Sequence, residues 1–460
     1  MIKARIKYRR NKIIERLNIQ GEDKMLERYE AKRILKKKSL PILIIAFILI
    51  GMSVISNLIS EDFNNGNSTD LDFSTVAAQS DRFVSEGLIR ITEGEEKIGF
   101  SQMLDNSDEA IKNRNQGNLL KAYKHEMIVR IIHMNLFSTL EHRRIFEDFT
   151  KEVWNDIAPD ITYPDNNGNI YNTSTSLPSD AELGRRILDL KCLYKCYKNN
   201  IPYVGRDDAN EAVFLYELMD KIIPVFILLT ILLLSIDSIS EEHRLRITRN
   251  VLSQPISRFS YFLKVLFSNI ITVLPVIIIS ISIVTLFSGV LSRFHSFKMP
   301  ILTTTNQWTA LRINGMDLVK AASEPNGIGY LGPVPVVWYT LGRYMYSSIK
   351  FISFTKATII FTLEMVLFAL FVNIVTVFAS SLTNKKSIAL VIAAGIFGGL
   401  YGLLRFIPEL PNPLLALKVR DIISGASSFT LLSLTLIQVS SILIMLGISA
   451  WVFNKKEIVY

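Results

Sequence analysis

The chain is poor in the residues from which most reactive sites are built. It holds two cysteines in 460 residues, Cys192 and Cys196, and because they lie close together in one segment they define neither a disulfide framework nor a metal cluster. Four positions apart, they read as neighbours on one helix face, packed and unremarkable. None of the 22 glycines is followed by lysine, which excludes a Gly-x4-Gly-Lys-Ser/Thr phosphate loop and with it an ATP site of that kind. His125-Glu126 matches half of a zinc-protease motif, yet Val129 stands where the second histidine is required and His133 is eight residues on. His125 is therefore expected at the surface or partly packed. No catalytic residue, metal ligand or cofactor is assigned to this chain.

What is abundant is apolar sequence in long runs. A hydrophobic content of 49% with a mean hydropathy of +0.29 exceeds that of an ordinary water-soluble protein, while 20% charged residues is too many for a chain lying wholly in lipid. Membrane spans with sizeable aqueous parts satisfy both. Charge is also unevenly placed: residues 1–38 hold 14 Lys/Arg against 5 Asp/Glu, and residues 61–220 hold 17 against 28, nets of +9 and −11. That contrast is the one expected between cytoplasmic and external segments.

The arm at 1–38 sets Ile2, Ile6, Ile13 and Leu17 among basic residues, which suits an amphipathic helix on anionic lipid. A nucleic-acid-binding arm is the competing reading, and the apolar run that follows directly argues against it. Leu40 to Ile59 carries no charge over about twenty residues, enough to cross ~30 Å of hydrocarbon as a helix. The preceding arm is too long for a signal peptide and no small-x-small site follows, so 39–60 is expected to be a retained anchor. Residues 61–218 form an extracytoplasmic domain, expected to be mainly helical on the spacing of Leu119 to Leu140 and Ala181 to Tyr197, with a loop from Tyr163 to Ser179.

Further spans are expected at 219–236 and 263–287, and three more lie within 351–453, near Ala357–Ala379, Ser387–Leu404 and Leu431–Phe453. Six spans place both termini, 1–38 and the tail 454–460, on one side. With the basic arm in the cytoplasm, the 237–262 connection and the Asn384-Lys385-Lys386 turn fall there too, as the positive-inside rule asks. The fold class is thus mainly α: a polytopic membrane protein with six transmembrane helices and a mainly helical extracytoplasmic domain. The loop at 288–350 lies outside, and its Trp338, Tyr339, Tyr344 and Tyr346 fit either an interfacial aromatic belt or a substrate contact. The Pro-rich link holding Pro408, Pro411 and Pro413 is apolar enough to dip back toward the membrane.

Two features carry function. Within the fourth span, Glu364 and Asn373 are candidates for a translocation path, because a carboxyl in hydrocarbon must face protein or water; the alternative for Glu364 is a structural pairing with Lys350 or Lys356. In the connection, Glu241 and Glu242 are followed by Arg244, Arg246 and Arg249 on a segment whose Ile247, Val251 and Leu252 make a short apolar face. Pro255 disfavours helix at Gln254, and Ser257 can then cap a helix carrying Arg258 and Lys264 into the third span.

The order Glu241-Glu242, basic amphipathic turn, Leu252-Ser253-Gln254-Pro255-Ile256-Ser257-Arg258 and Lys264 resembles type-2 ABC exporter permeases, the membrane subunits of that transporter class. One departure is Ile247 before Thr248, where many members carry glycine. The resemblance implies that Glu241, Glu242, Arg244, Arg246, Arg249, Pro255 and Arg258 couple to an ABC ATPase subunit, two copies per complex, which uses the ATP and Mg. It also implies a second permease, homodimer or related paralogue, alternating access, and a bacterial cell membrane. The large insertion resembles Gram-positive permeases of peptide export or antimicrobial-peptide self-protection. Membrane lipids are expected partners and nucleic acid is not. A peptide-binding membrane sensor is the alternative function.

Overall fold

The computed structural model describes residues 39–65, 95–136, 140–164, 180–201, 214–216, 218–240, 257–292, 297–304, 349–408, 410–424, 427 and 429–455. Helices dominate them, and the sequence expectation of a mainly α, polytopic fold holds. After α1 (Ser39–Asn65) the chain builds a four-helix domain from α2 (Glu95–Asn115), α3 (Leu119–Leu136), α4 (Leu140–Ile157) and α5 (Asp180–Asn199). Gly117, at φ 74°, turns α2 into α3: its N–H donates to Arg114 O at 2.8 Å and the Asn118 N–H to Asn113 O at 2.8 Å, a left-handed cap that suits glycine.

The domain core gathers Phe100, Tyr123, Phe146 and Trp154, all fully buried, together with Cys192 and Cys196, which are buried and not joined in a disulfide. Polar groups close its lower edge. The Trp154 indole N–H donates to Ile161 O at 2.7 Å, and the Tyr163 hydroxyl pairs with Thr150 at 2.7 Å and accepts from Asn135 at 3.0 Å. The helix-like spacing over Leu119–Leu140 corresponds to α3, Leu119–Leu136, and the start of α4 at Leu140, with 137–139 outside the described residues. Most of the Tyr163–Ser179 loop lies outside the described residues.

The remaining long helices form the bundle: α6 (Ile223–Ser235), entered through a π turn at Leu218–Ile222, α7 (Arg258–Ser292), α8 (Phe354–Leu382), α9 (Lys386–Phe406) and, last, the helix Leu431–Lys455. Five of the described helical runs are long and apolar enough to cross a membrane, and α1 contributes a shorter apolar stretch, Leu40–Val54. The second of the spans runs Ile223–Ser240, shifted from the expected 219–236 because the π turn occupies its start. The third opens at Arg258, earlier than the expected 263.

Helix α8 is the axis of the bundle, packing on α6, α7, α9 and the last helix. Burial separates centre from periphery: 78% of the Ile223–Ser240 span is buried inside the protein against 11% of Leu431–Lys455. Lipid is as apolar as these side chains, so close packing holds the helices together. Gly51 shows how close: a Cβ there would lie 2.6 Å from Val284 Cγ1 of α7.

The hairpin of β1 (Pro300–Thr304) and β2 (Ile349–Ser353), antiparallel with Pro300 opposite Ser353, had no counterpart in the sequence expectation. Each strand is five residues, and its partner lies across a 44-residue interval, so no local pattern could pair them. Residues 351–353, expected at the head of the fourth span, belong to β2, and Ser353 caps α8 by accepting the Lys356 N–H at 3.3 Å. Lys195 of α5 donates to Phe351 O at 2.6 Å, tying the four-helix domain to the hairpin.

The Pro-rich link packs against the bundle. It forms a 3₁₀ turn, Pro413–Lys418, followed by α10 (Val419–Ser424), with Leu414, Leu415 and Ala416 buried. Three amide contacts pin it: Asn412 accepts the Leu414 N–H at 2.9 Å and donates to Leu400 O at 2.7 Å, and Gln438 donates to Pro413 O at 2.6 Å. The last helix, Leu431–Lys455, is α11.

Candidate functional site

One end of the bundle carries the four-helix domain and the hairpin; the other carries the 241–256 connection. Of the residues assigned to coupling, Glu241, Glu242, Arg244, Arg246, Arg249 and Pro255 lie outside the described residues. The two ends of the connection are described, and both are anchored. Helix α6 stops at Ser235, the chain turns through Ile236 and Asp237, and helix resumes at Ser238–Ser240.

The resumed helix is capped by another helix. Ser380 Oγ, near the end of α8, accepts the N–H groups of Ile239 and Ser240, each at 3.0 Å. The first N–H groups of a helix have no partner within it, and a hydroxyl at this point satisfies two of them. Asp237, almost fully buried just before that helix, faces Lys386 at the start of α9 with 3.5 Å between Oδ2 and Nζ. A lysine in the first turn opposes the helix dipole, and the carboxylate offsets it. Lys386 is more than half exposed, so the pair is worth only about 0.2–1 kcal/mol.

The other end enters α7. Ser257 Oγ accepts the Ser260 N–H at 3.1 Å, the cap expected from sequence. Arg258 is exposed and donates to Asn454 O at 3.1 Å, joining the base of α7 to the end of α11. Beneath lies a compact apolar cluster of Ile239, Tyr261, Phe262, Val265, Val377 and Phe453, with Tyr261 stacked on Phe453 at 6.2 Å between ring centroids. The seam against α8 is different in kind. Ser235, Asp237, Ser238, Ser240, Ser380 and Ser381 are all buried there, and the Ser235 and Ser238 hydroxyls meet no hydrogen-bond partner.

Nearer the domain end, Glu364 is buried and its Oε1 accepts the Thr435 hydroxyl of α11 at 2.5 Å, while Oε2 has no partner. Of the two lysines considered for it, Lys356 is exposed two turns away, and the Lys350 side chain lies outside the described residues. Asn373 donates to Leu266 O of α7 at 2.9 Å, and its Oδ1 is buried without a partner. A cavity of about 440 Å³ opens between α6, α7 and α8, lined by Met219, Ile277, Phe361, Met365 and Ala369 among others; neither Glu364 nor Asn373 lines it. Its hydroxyls at Thr285, Thr358 and Thr362 bond carbonyls of their own helices, so it presents an apolar wall.

The half-motif at His125-Glu126 is structural. Glu126 forms a buried ion pair with Arg114 at 2.5 Å, and His125 Nδ1–H donates to Asn106 Oδ1 at 2.8 Å. Ser380 was missed from sequence, where it is one small polar residue near the end of an apolar run. Only its neighbour in space gives it a task.

These observations define a multi-pass helical membrane protein with a four-helix domain on one end and an anchored connection on the other. The chain belongs to the ABC-2 family transporter proteins, whose family model matches residues 26–458. It is accordingly the membrane subunit of an ABC transporter, a family that works with an ABC ATPase partner. Comparison with curated proteins and with solved structures found no match.

Proposed function

We propose that the chain is the permease of an ATP-driven exporter that moves a peptide or another amphipathic substrate. The ATPase resides on a separate subunit, present in two copies, which supplies the ATP and Mg chemistry and acts on the 241–256 connection. A second permease, identical or paralogous, completes the complex. Closure of the ATPases moves the connections and switches the bundle between inward and outward states. Both termini lie in the cytoplasm of a bacterial cell, so the four-helix domain is external.

The observation that carries this reading is the connection itself. It holds the basic amphipathic segment with Glu241, Glu242, Arg244, Arg246 and Arg249, ends at Pro255 and Arg258, and is anchored at both described ends to different helices of the bundle. A segment held in this way can transmit force. For the substrate, two features agree: the net −11 of residues 61–220 attracts cationic peptides, and the apolar cavity suits their hydrocarbon side chains. Glu364 and Asn373, each with a buried oxygen lacking a partner, are the polar groups we place on the path.

The test is co-purification of the ATPase with the intact permease in mild detergent. Glu242→Ala and Arg249→Ala should each reduce the bound ATPase or its permease-dependent hydrolysis while the subunit remains inserted. Unchanged association and hydrolysis in both variants would remove the coupling role.

A further inference from the structure

We infer that Ser380 and the Asp237–Lys386 pair are the positioning groups through which movement of the connection is passed to α8 and α9. This rests on the proposal that an ATPase acts on the connection, and goes beyond it by naming where the bundle receives the motion.

Geometry supports Ser380 first. A helix start is normally capped by its own flanking residue, but the one resuming at Ser238 takes its cap from a side chain about 140 positions on. Any tilt of that helix must move Ser380 with it or break two hydrogen bonds to one oxygen. Ser380 stands two residues before the end of α8, a continuous 29-residue helix that reaches about 43 Å to the hairpin at the domain end. The second contact is with α9, whose first residue, Lys386, faces the buried Asp237. Both contacts come from the same short turn, so one displacement loads two helices.

The nature of the seam agrees with a junction that moves. Interlocked apolar side chains have one good arrangement, whereas here several hydroxyls are buried and two of them, Ser235 and Ser238, have no hydrogen bond in this state. They are available to a second arrangement. The apolar cluster alongside, with Tyr261, Phe262 and Phe453, joins the α7 and α11 ends and gives the seam a fixed wall.

The experiment uses the full permease–ATPase complex in lipid nanodiscs, with a reporter cysteine at Lys356, exposed near the outer end of α8; the native cysteines are buried. Labelling by a polar maleimide is compared without nucleotide and with ATP plus vanadate. The parent should show a nucleotide-dependent change in labelling rate. Ser380→Ala should shrink that change about fivefold, the factor for one lost cap, and Lys386→Gln should shrink it by a smaller factor, about twofold, as an exposed ion pair allows, with ATPase association kept. Exchanging the charges, Asp237→Lys with Lys386→Asp, should restore it relative to Lys386→Gln. A full-sized change in both single variants overturns the inference, as does a parent that shows none. Failure of the parent to retain the ATPase instead sinks the proposed function. Lys386 is exposed, so its variant reports even if Ser380→Ala lowers the yield of folded protein.

Discussion

Glu364 and Thr435 show what a single buried contact commits a membrane helix to. The carboxyl takes its one hydrogen bond from a hydroxyl on α11, and Thr435 also bonds Leu431 O of its own helix at 3.0 Å. Thr435→Val keeps the shape and removes the donor, so it should destabilise the subunit by about 1–3 kcal/mol, read as a lower unfolding temperature in detergent. Glu364→Gln can still accept from Thr435 and should change stability much less; a marked loss of transport in that variant would then belong to the path. In the four-helix domain, burial holds the His125 imidazole below its ordinary value, partly offset by Glu109. The unfolded chain therefore takes up this proton more readily than the folded domain. The domain should be fully stable above the ordinary imidazole value, about 6.5, and lose stability as pH falls through and below it. Protection of the α2 and α3 amides, taken relative to their intrinsic exchange rates at each pH, should fall between about pH 7.5 and about pH 5.5, and His125→Gln should flatten that dependence.

Elements behave as their surroundings require. Helix α1 meets α7 through Gly51, and the residue there must be small because Val284 is branched and cannot swing aside. Gly51→Leu should cost about 1–3 kcal/mol by overpacking, and Val284→Ala in the same chain should return part of that loss, measured by thermal unfolding of the purified subunit. If the double variant is no better than Gly51→Leu alone, α1 does not pack where the structure puts it. Helix α8 is the opposite case, a helix defined by its partners on four sides. Its length and apolar content were legible in the sequence, and so was the odd character of Glu364. Its cap at Ser353, its link to the domain through β2 and its hold on the connection through Ser380 were not, since each joins residues remote in the chain.

At the scale of the molecule, the four-helix domain and the apolar bundle are joined in part through the β1–β2 pair. The Lys195 bond to Phe351 O and the Thr303 hydroxyl bond to Ile423 O, at 2.8 Å, are part of that junction. The domain has its own core around Trp154, and Trp154→Ala should destabilise it by about 3–5 kcal/mol while leaving membrane insertion intact. Protease sensitivity confined to residues 95–201 would be the signature, and equal loosening of the bundle would contradict two separate cores. Under the proposed function, removing residues 65–210 with the spans preserved should abolish substrate selectivity but leave ATPase association. Full retention of selectivity would reduce the domain to a structural insertion.

The sequence by itself determined the division of the chain. Long uncharged runs, the contrast of +9 and −11 between two segments and the broken stretch from Ser235 to Lys264 are local quantities. They set the long apolar runs apart from the charged segments between them. Only the tertiary structure decided which polar residues matter. Glu364 faces Thr435, Asn373 holds Leu266 O, and Ser380 caps a helix about 140 residues earlier in the chain. In lipid a polar side chain must find a partner within the protein, and that partner is set by which helices touch. Periodicity along one helix carries no record of its neighbours.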